Sequence, residues 1–380
     1  MFRSASEFTR KANSVVSKAM LWLIAVSVVS LALFGQKAPR AAPIPNDPLE
    51  LVTGPINAVD APARAAALRL LDRARNSYAL RSAGQGYDLK VTFTVNSGGQ
   101  TEYDGAWEME DVFDPSQGLR WTAKSSAAYS ITRISSNGMF YGEETASHIP
   151  LRLQEARAAL FDPIPSSKSI EHASIRTSNT VFNDTQLTCV LLSDSAETAG
   201  AAPGRRWDET EECIDPQTGL LQTHSQVPGR YYAYEYSNGP QLAGHVLPRK
   251  ITVTEAGETV TEMSIDSLTE VRSADPSLFV PTQEMKARGR AIAMAGAQKV
   301  SRVLGRGTFA PSLEPHVVCV FGVATPSGQL VEAHSLQPSD PNSQLAVDAA
   351  KKMSFIRRAP EGLYPEQHFV FVIEKFVSSP

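Results

Sequence analysis

Tyr87-Asp88-Leu89-Lys90-Val91-Thr92-Phe93-Thr94-Val95 (87–95) alternates apolar and polar side chains, so that Leu89, Val91, Phe93 and Val95 share one face of a strand. Ser97-Gly98-Gly99 turns the chain into Thr101 to Val112, and strand-like runs separated by turn residues then continue to Val271. Asp114-Pro115-Ser116-Gln117-Gly118 and Asp215-Pro216-Gln217-Thr218-Gly219 repeat one turn chemistry, and Asn137-Gly138 is a two-residue hairpin signal before Met139-Phe140-Tyr141. One helical insertion, Pro150 to Phe161, interrupts the series and is stopped by Pro163 and Pro165. About eleven strands accumulate, too many for a flat sheet, so the expected architecture is an antiparallel half-barrel or barrel.

The segment before this meander has helical periodicity. Asp60 and Pro62 make a helix start, Leu68, Leu71 and Ala74 fall near one face, and Gly84 and Gly86 end the run, which predicts a helix to about Ala79. Within the meander, Cys189 and Cys213 are equidistant from position 201, inside the turn-like Ala199 to Gly204. A symmetric hairpin there sets the two directly opposite, where a cross-strand disulfide can close; two reduced, buried thiols are the alternative. Cys319 lies on a separate apolar run and reads as a core residue.

The order helix, meander, inserted helix, meander, with Asp-Pro-Gln-Thr-Gly-Leu-Leu (215–221) and His-Val-Leu-Pro-Arg-Lys-Ile-Thr-Val-Thr-Glu (245–255), resembles the LolA/LolB-like lipoprotein-carrier fold of bacterial envelopes over about Asp60 to Pro281. That resemblance implies an unclosed barrel whose concave apolar face holds acyl chains. Phe93, Trp107, Trp121 and Phe140 are the candidate lining of such a cavity, and the same residues also suit a filled core.

The ends of the chain address its location. Ala19 to Gly35 carries no charge and is preceded by Arg3, Arg10, Lys11 and Lys18 against Glu7, so the positive-inside rule keeps the N-terminus cytoplasmic and exports the rest of the chain. An uncleaved transmembrane anchor is preferred over a cleavable signal peptide, because Leu33 and Gln36 give no Ala-x-Ala pattern around Gly35. Proline-rich residues 36–59 form a spacer. After the barrel, residues 284–311 carry Lys286, Arg288, Arg290, Lys299, Arg302 and Arg306 and read as a basic linker, partly helical.

The last segment has its own pattern. Val317 to Val323 is an apolar strand, Pro326-Ser327-Gly328-Gln329 a turn and Leu330 to Leu336 a second strand. Asp340 with Pro341 starts a helix whose small-residue face carries Leu345, Ala349 and Met353 beside Ala346 and Ala350, and His368 to Phe376 closes a ββαβ unit. With Gly328 before Gln329-Leu330-Val331, then Ser335, Leu345, Asp348-Ala349-Ala350 and Phe355, this unit is similar to the TonB C-terminal domain family. The family adds a segment of an outer-membrane transporter to an open sheet edge, and Phe369, Phe371, Ile373 and Phe376 are the candidate docking edge. Glu314-Pro315 replaces that family's usual Tyr-Pro, and Ala19–Gly35 lacks its membrane histidine.

The organisation expected is therefore a basic N-terminus (1–18), an anchor (19–35), a spacer (36–59), a LolA-like half-barrel with covering helices (60–283), a basic linker (284–311) and a small α+β TonB-like domain (312–380). A net charge of −4 on 380 residues supplies no field for nucleic acid. No Gly-x-Ser-x-Gly elbow, phosphate loop, His-Glu-x-x-His helix or Cys-x-x-Cys pair occurs, and His334-Ser335 are strand neighbours that face opposite ways. The expected function is non-enzymatic, without cofactor or metal. It is that of an inner-membrane-anchored periplasmic protein that docks an outer-membrane transporter or other periplasmic partner and transduces energy for transport. The alternatives are an acyl-chain or lipoprotein carrier using the half-barrel and a structural envelope tether.

Overall fold

The computed structural model describes residues 57–99, 101–136, 139–193, 205–292, 298–303, 316–355, 363–365 and 368–376. All of these belong to one compact unit, Ala41–Pro380. The anchor, nearly all of the spacer and the turns at Asn137-Gly138 and Ala199–Gly204 lie outside the described residues. Among the described residues no helix is long and apolar enough to cross a membrane.

The chain enters through α1 (Ala61–Tyr78), where the Asp60 carboxylate accepts the Ala63 N–H at 2.9 Å and proline occupies the first turn. Ala67, Leu71, Ala74 and Tyr78 are its buried face. Its arginines fix it to loops: Arg64 donates to the Ala173 carbonyl at 2.7 Å, Arg73 to Pro216 at 3.0 Å, and Arg75 to the Pro165 carbonyl.

Twelve long strands follow in two runs. The first is β1 (Gly86–Val95), β2 (Gly105–Asp114), β3 (Gly118–Ser125), β4 (Ser130–Ser136) and β5 (Met139–Glu144). After α2 (Leu151–Phe161) come β6 (Ser174–Phe182), β7 (Thr185–Ser193), β8 (Thr210–Ile214), β9 (Leu221–Val227), β10 (Arg230–Glu235), β11 (Lys250–Glu255) and β12 (Glu258–Val271). Each run is an antiparallel meander, and they join where β12 pairs with β1, in a register that runs from Thr261 opposite Val95 to Val271 opposite Gly86. The sheet of fifteen strands, counting three short ones, is open: β5 and β6, the outermost long strands, lie toward opposite edges. Both Asp-Pro turns are built alike, with Asp114 accepting from Ser116 N–H (2.8 Å) and Asp215 from Gln217 N–H (2.8 Å).

One face of this sheet holds the main core. Leu89, Val91, Phe93, Trp107, Met109, Leu119, Ile131, Val190, Ile214, Tyr232, Ile251 and Met263 pack there with α1 and with Leu153, Ala156, Ala159 and Leu160 of α2. We call this the inner face. On the outer face of the first run, Val112, Ile134 and Tyr141 are covered by Phe279 and by Met285 of the short α3 (Gln283–Arg288).

The segment expected to be a linker adds strands to both sheets. β13 (Arg290–Ile292) pairs with β5, and β14 (Gln298–Val303) runs parallel to the last strand of the chain. The C-terminal unit is then β15 (His316–Ala324), β16 (Leu330–Ser335), α4 (Ser343–Lys351), the short β17 (Leu363–Pro365) and β18 (His368–Phe376). It has the expected ββαβ order, with β14 as a fourth strand: the sheet order is β14-β18-β15-β16. β18 is therefore interior, bonded to β15 on one side and β14 on the other, so the strand carrying Phe369, Phe371, Ile373 and Phe376 offers no open edge. The side chains of those four residues lie outside the described set. α4 also begins later than Asp340, with Asn342 at its N-cap, and it buries Ser343, Ala346, Val347 and Ala350 while Leu345 is 43% exposed.

The two parts pack on each other. Val318, Val320 and Ala324 of β15 face α4, whereas Cys319, Phe321 and Val323 on its other side pack with Leu151, Trp207 and Val227 of the half-barrel. Cys319 is a buried core thiol outside the disulfide. α2 thus lies between the inner face of the large sheet and the C-terminal sheet, and residues on both of its sides are buried.

Candidate functional site

The inner face is where the sequence places its candidate cavity, and the register puts Phe93, Trp107, Trp121 and Phe140 on that side. Phe93 pairs with Trp107, Trp121 with Asp111, and Phe140 with Ser135, which pairs in turn with Leu119. The four are not brought together around one hollow. Phe93 and Trp107 stack at 5.4 Å, Tyr129 closes on Trp107 at 5.6 Å, and the Trp107 indole N–H donates to the Tyr103 carbonyl at 3.0 Å. With Trp107 only 1% exposed, this end of the face is filled core.

The other end is less covered. α2 finishes at Phe161, and beyond it the row Tyr87, Phe113, Leu119, Ser135, Phe140 crosses five strands. Phe113, Phe140 and Phe161 are each only half-buried. Trp121 lies beside them, roofed by the Arg157 guanidinium 3.9 Å from its ring centroid. Arg157 also lies 4.9 Å from the Phe161 ring, and Arg81, from the short helical turn after α1, lies 5.1 Å from that ring.

Asp111 ties these groups together. Its carboxylate is fully buried; it accepts from the Tyr87 hydroxyl (2.8 Å) and from Arg157 (3.0 Å), and Arg81 is 3.7 Å away. Burial pulls the Arg157 guanidinium below its usual range, against the opposing pull of Asp111. Burial also acts on Arg81, but Asp111 and Tyr87 outweigh it and hold that group above its ordinary value. The Tyr87 hydroxyl is pushed up by burial and then by Asp111. The next cation along the face, Arg133, bonds Glu144 at 2.6 Å. The result is a group of aromatic rings with two arginines standing over them.

Sequence reasoning selected Trp121 and Phe140 but missed Arg81, Asp111, Phe113, Arg157 and Phe161. Asp111 carried a signal. In β2 the residues Trp107, Met109, Asp111 and Phe113 all point inward, and a carboxylate in an apolar row demands a cationic partner.

At the opposite end of α2 lies a second charged cluster. Arg152 and Glu155 of α2 meet Arg230 of β10 and Glu255 of β11, with Arg152 to Glu255 at 2.9 Å and Arg230 to Glu155 at 2.6 Å. All four are buried, and the ring of Phe321 covers both guanidiniums at 5.2 and 5.0 Å. Burial raises Glu155, whereas both arginines hold Glu255 well below the usual carboxylate range. From β16, Glu332 accepts the Leu151 N–H at the first turn of α2 (2.9 Å) and pairs with His148 and His334, each at 3.3 Å. Neighbouring Ser335 instead accepts from Gln337 N–H at 3.1 Å.

Cys189 and Cys213 stand directly opposite in the β7–β8 register and form a disulfide. With Leu187, Leu191 and Tyr231 they form a cluster apart from the main core. The one grouping of metal-ligating side chains among the described residues, Cys189, Glu211 and Cys213, has both its sulfurs committed to that bridge.

No protein-family model matches the chain. No curated protein matches it either. Among solved structures it is similar to a LolA superfamily protein from Nitrosomonas europaea, at 10% identity over 56% of this chain and 97% of that one, with a TM-score of 0.34. A DUF1329 family protein from Desulfovibrio piger aligns at 8% identity over 57% of this chain and 96% of that one, with a TM-score of 0.38. The MucA/MucB complex of Pseudomonas aeruginosa aligns at 12% identity over 70% of this chain and 82% of that one, with a TM-score of 0.26.

Proposed function

We propose that this chain is a non-enzymatic binding protein of the bacterial envelope that takes an acyl chain on the open end of the half-barrel's inner face. In this reading residues 19–35 anchor it in the inner membrane and the rest works in the periplasm. The observation that carries the reading is the set of half-buried rings, Phe113, Phe140 and Phe161, beside the buried core of the inner face. Aromatic surface left partly wet beside such a core gains free energy when a hydrocarbon covers it, by roughly 25 cal/mol for each Å² removed from water. α2 bounds the groove, and the C-terminal unit holds α2 in place through Phe321 and Glu332.

The test uses the full chain held in amphipol and a photoreactive sixteen-carbon acyl probe, with labelled peptides located by mass spectrometry. Label is expected in 105–114, 139–144 and 151–161. A Phe113→Ala, Phe140→Ala double variant is expected to lose about nine-tenths of it, since two truncated aromatic contacts each contribute at least about 0.5 to 1 kcal/mol. Label spread evenly over the surface, or unchanged in the double variant, would sink the reading.

A further inference from the structure

We infer that the open end of the inner face receives the head of an anionic single-chain amphiphile, a carboxylate or phosphate ester on an acyl tail, with Arg81 as the group that meets its charge. This rests on the acyl-chain reading above and specifies its ligand. The argument is one of charge matched against geometry. Two guanidiniums, those of Arg81 and Arg157, share the single buried carboxylate of Asp111.

Arg157 is spoken for. It donates to Asp111 at 3.0 Å, lies 3.5 Å from the Met109 sulfur and sits over Trp121 and Phe161. Arg81 is held more loosely. Its Nε donates to the Tyr87 hydroxyl at a long 3.3 Å, its contact with Asp111 is 3.7 Å, and 42% of its side chain is exposed. The other acid in its electrostatic reach, Asp162, is exposed at the end of α2, where water screens it. The Arg81 guanidinium therefore stands over the Phe161 ring with 42% of its side chain exposed, held by one long hydrogen bond and a 3.7 Å contact to a carboxylate that Arg157 already bonds. A carboxylate or phosphate oxygen placed there would gain a charge-assisted hydrogen bond while its tail lay along the ring row. A neutral head of the same tail would gain neither.

The experiment compares photoreactive hexadecanoic acid with photoreactive hexadecanol, the photoreactive group at the same carbon, on the full chain in amphipol at neutral pH. The acid is expected to label 105–114, 139–144 and 151–161 about tenfold more than the alcohol, the factor set by one charge-assisted hydrogen bond in a half-buried site. Arg81→Gln is expected to bring the acid down to the alcohol's level and leave the alcohol unchanged, and Arg81→Lys to keep most of the preference. Excess inorganic phosphate is expected not to compete. Equal labelling by acid and alcohol, or an acid preference that survives in Arg81→Gln, overturns the inference and leaves the acyl-chain reading standing. Competition by inorganic phosphate makes the site one for a small anion and overturns it too. Labelling of these strands by neither probe removes the acyl-chain reading as well.

Discussion

Glu332 is a charge that links the small sheet to α2. Burial opposes its ionisation, but hydrogen bonds from His148, His334 and the Leu151 N–H outweigh that cost and bring its pKa down to about 2 from an ordinary 4.5. A carboxylate depressed in the folded state contributes stability that is complete above its unfolded value and is lost as pH falls through the folded one. Glu332→Gln is thus expected to lower stability at pH 7 by about 2 kcal/mol. The gap to the wild type should close between pH 4.5 and about 2, as read by denaturant unfolding followed through tryptophan emission. A gap independent of pH would mean that shape rather than charge makes the contact. Little of this was legible beforehand. Arg152 and Glu155 look like surface charges in Leu-Arg-Leu-Gln-Glu-Ala-Arg, because their partners Arg230 and Glu255 are dozens of residues away.

At the scale of elements, the best-read feature was the β7–β8 hairpin, since symmetry about one position fixes which residues face each other across antiparallel strands. Cys189 pairs with Cys213 in that register. Removing the bridge with Cys189→Ala, Cys213→Ala is expected to cost about 3 kcal/mol, because it frees a loop of 24 residues in the unfolded chain. Chemical denaturation of the oxidised wild type against the double variant measures this, and equal midpoints would contradict it. α4 was misread at its start and at one edge of its face. Asp340 accepts the Asn342 N–H in a turn instead of capping the helix, and of the expected face Ala346 and Ala350 are buried, with Val347 beside them, while Leu345 is exposed. β14 was missed altogether. Gln-Lys-Val-Ser-Arg-Val has no apolar alternation of its own, and its strand conformation comes from parallel pairing with β18.

For the whole molecule, local alternation was enough to identify a long antiparallel meander, but not whether it closes, the β12–β1 join or the docking of the C-terminal unit, which depend on contacts between distant segments. That docking changes what the terminal unit is. With Cys319, Phe321 and Val323 buried against Leu151, Trp207 and Val227, it is packed onto α2 and the large sheet more than it is a module on a tether. Removing residues 312–380 is expected to uncover that apolar surface, raise binding of a hydrophobic dye severalfold and lower the midpoint of chemical unfolding. A truncated chain as stable and as dye-silent as the full one would show the unit to be independent.

The interior place of β18 has a temporal side. β14 and β15 are made well before the strand that must lie between them, and at ordinary synthesis rates the stretch from Ala324 to Phe376 takes roughly 3 to 10 seconds to appear. For that interval β14 has no neighbour in the small sheet and β15 has one side unpaired. The interior strand thus acts as a clock: the small sheet closes only after β18 has been made.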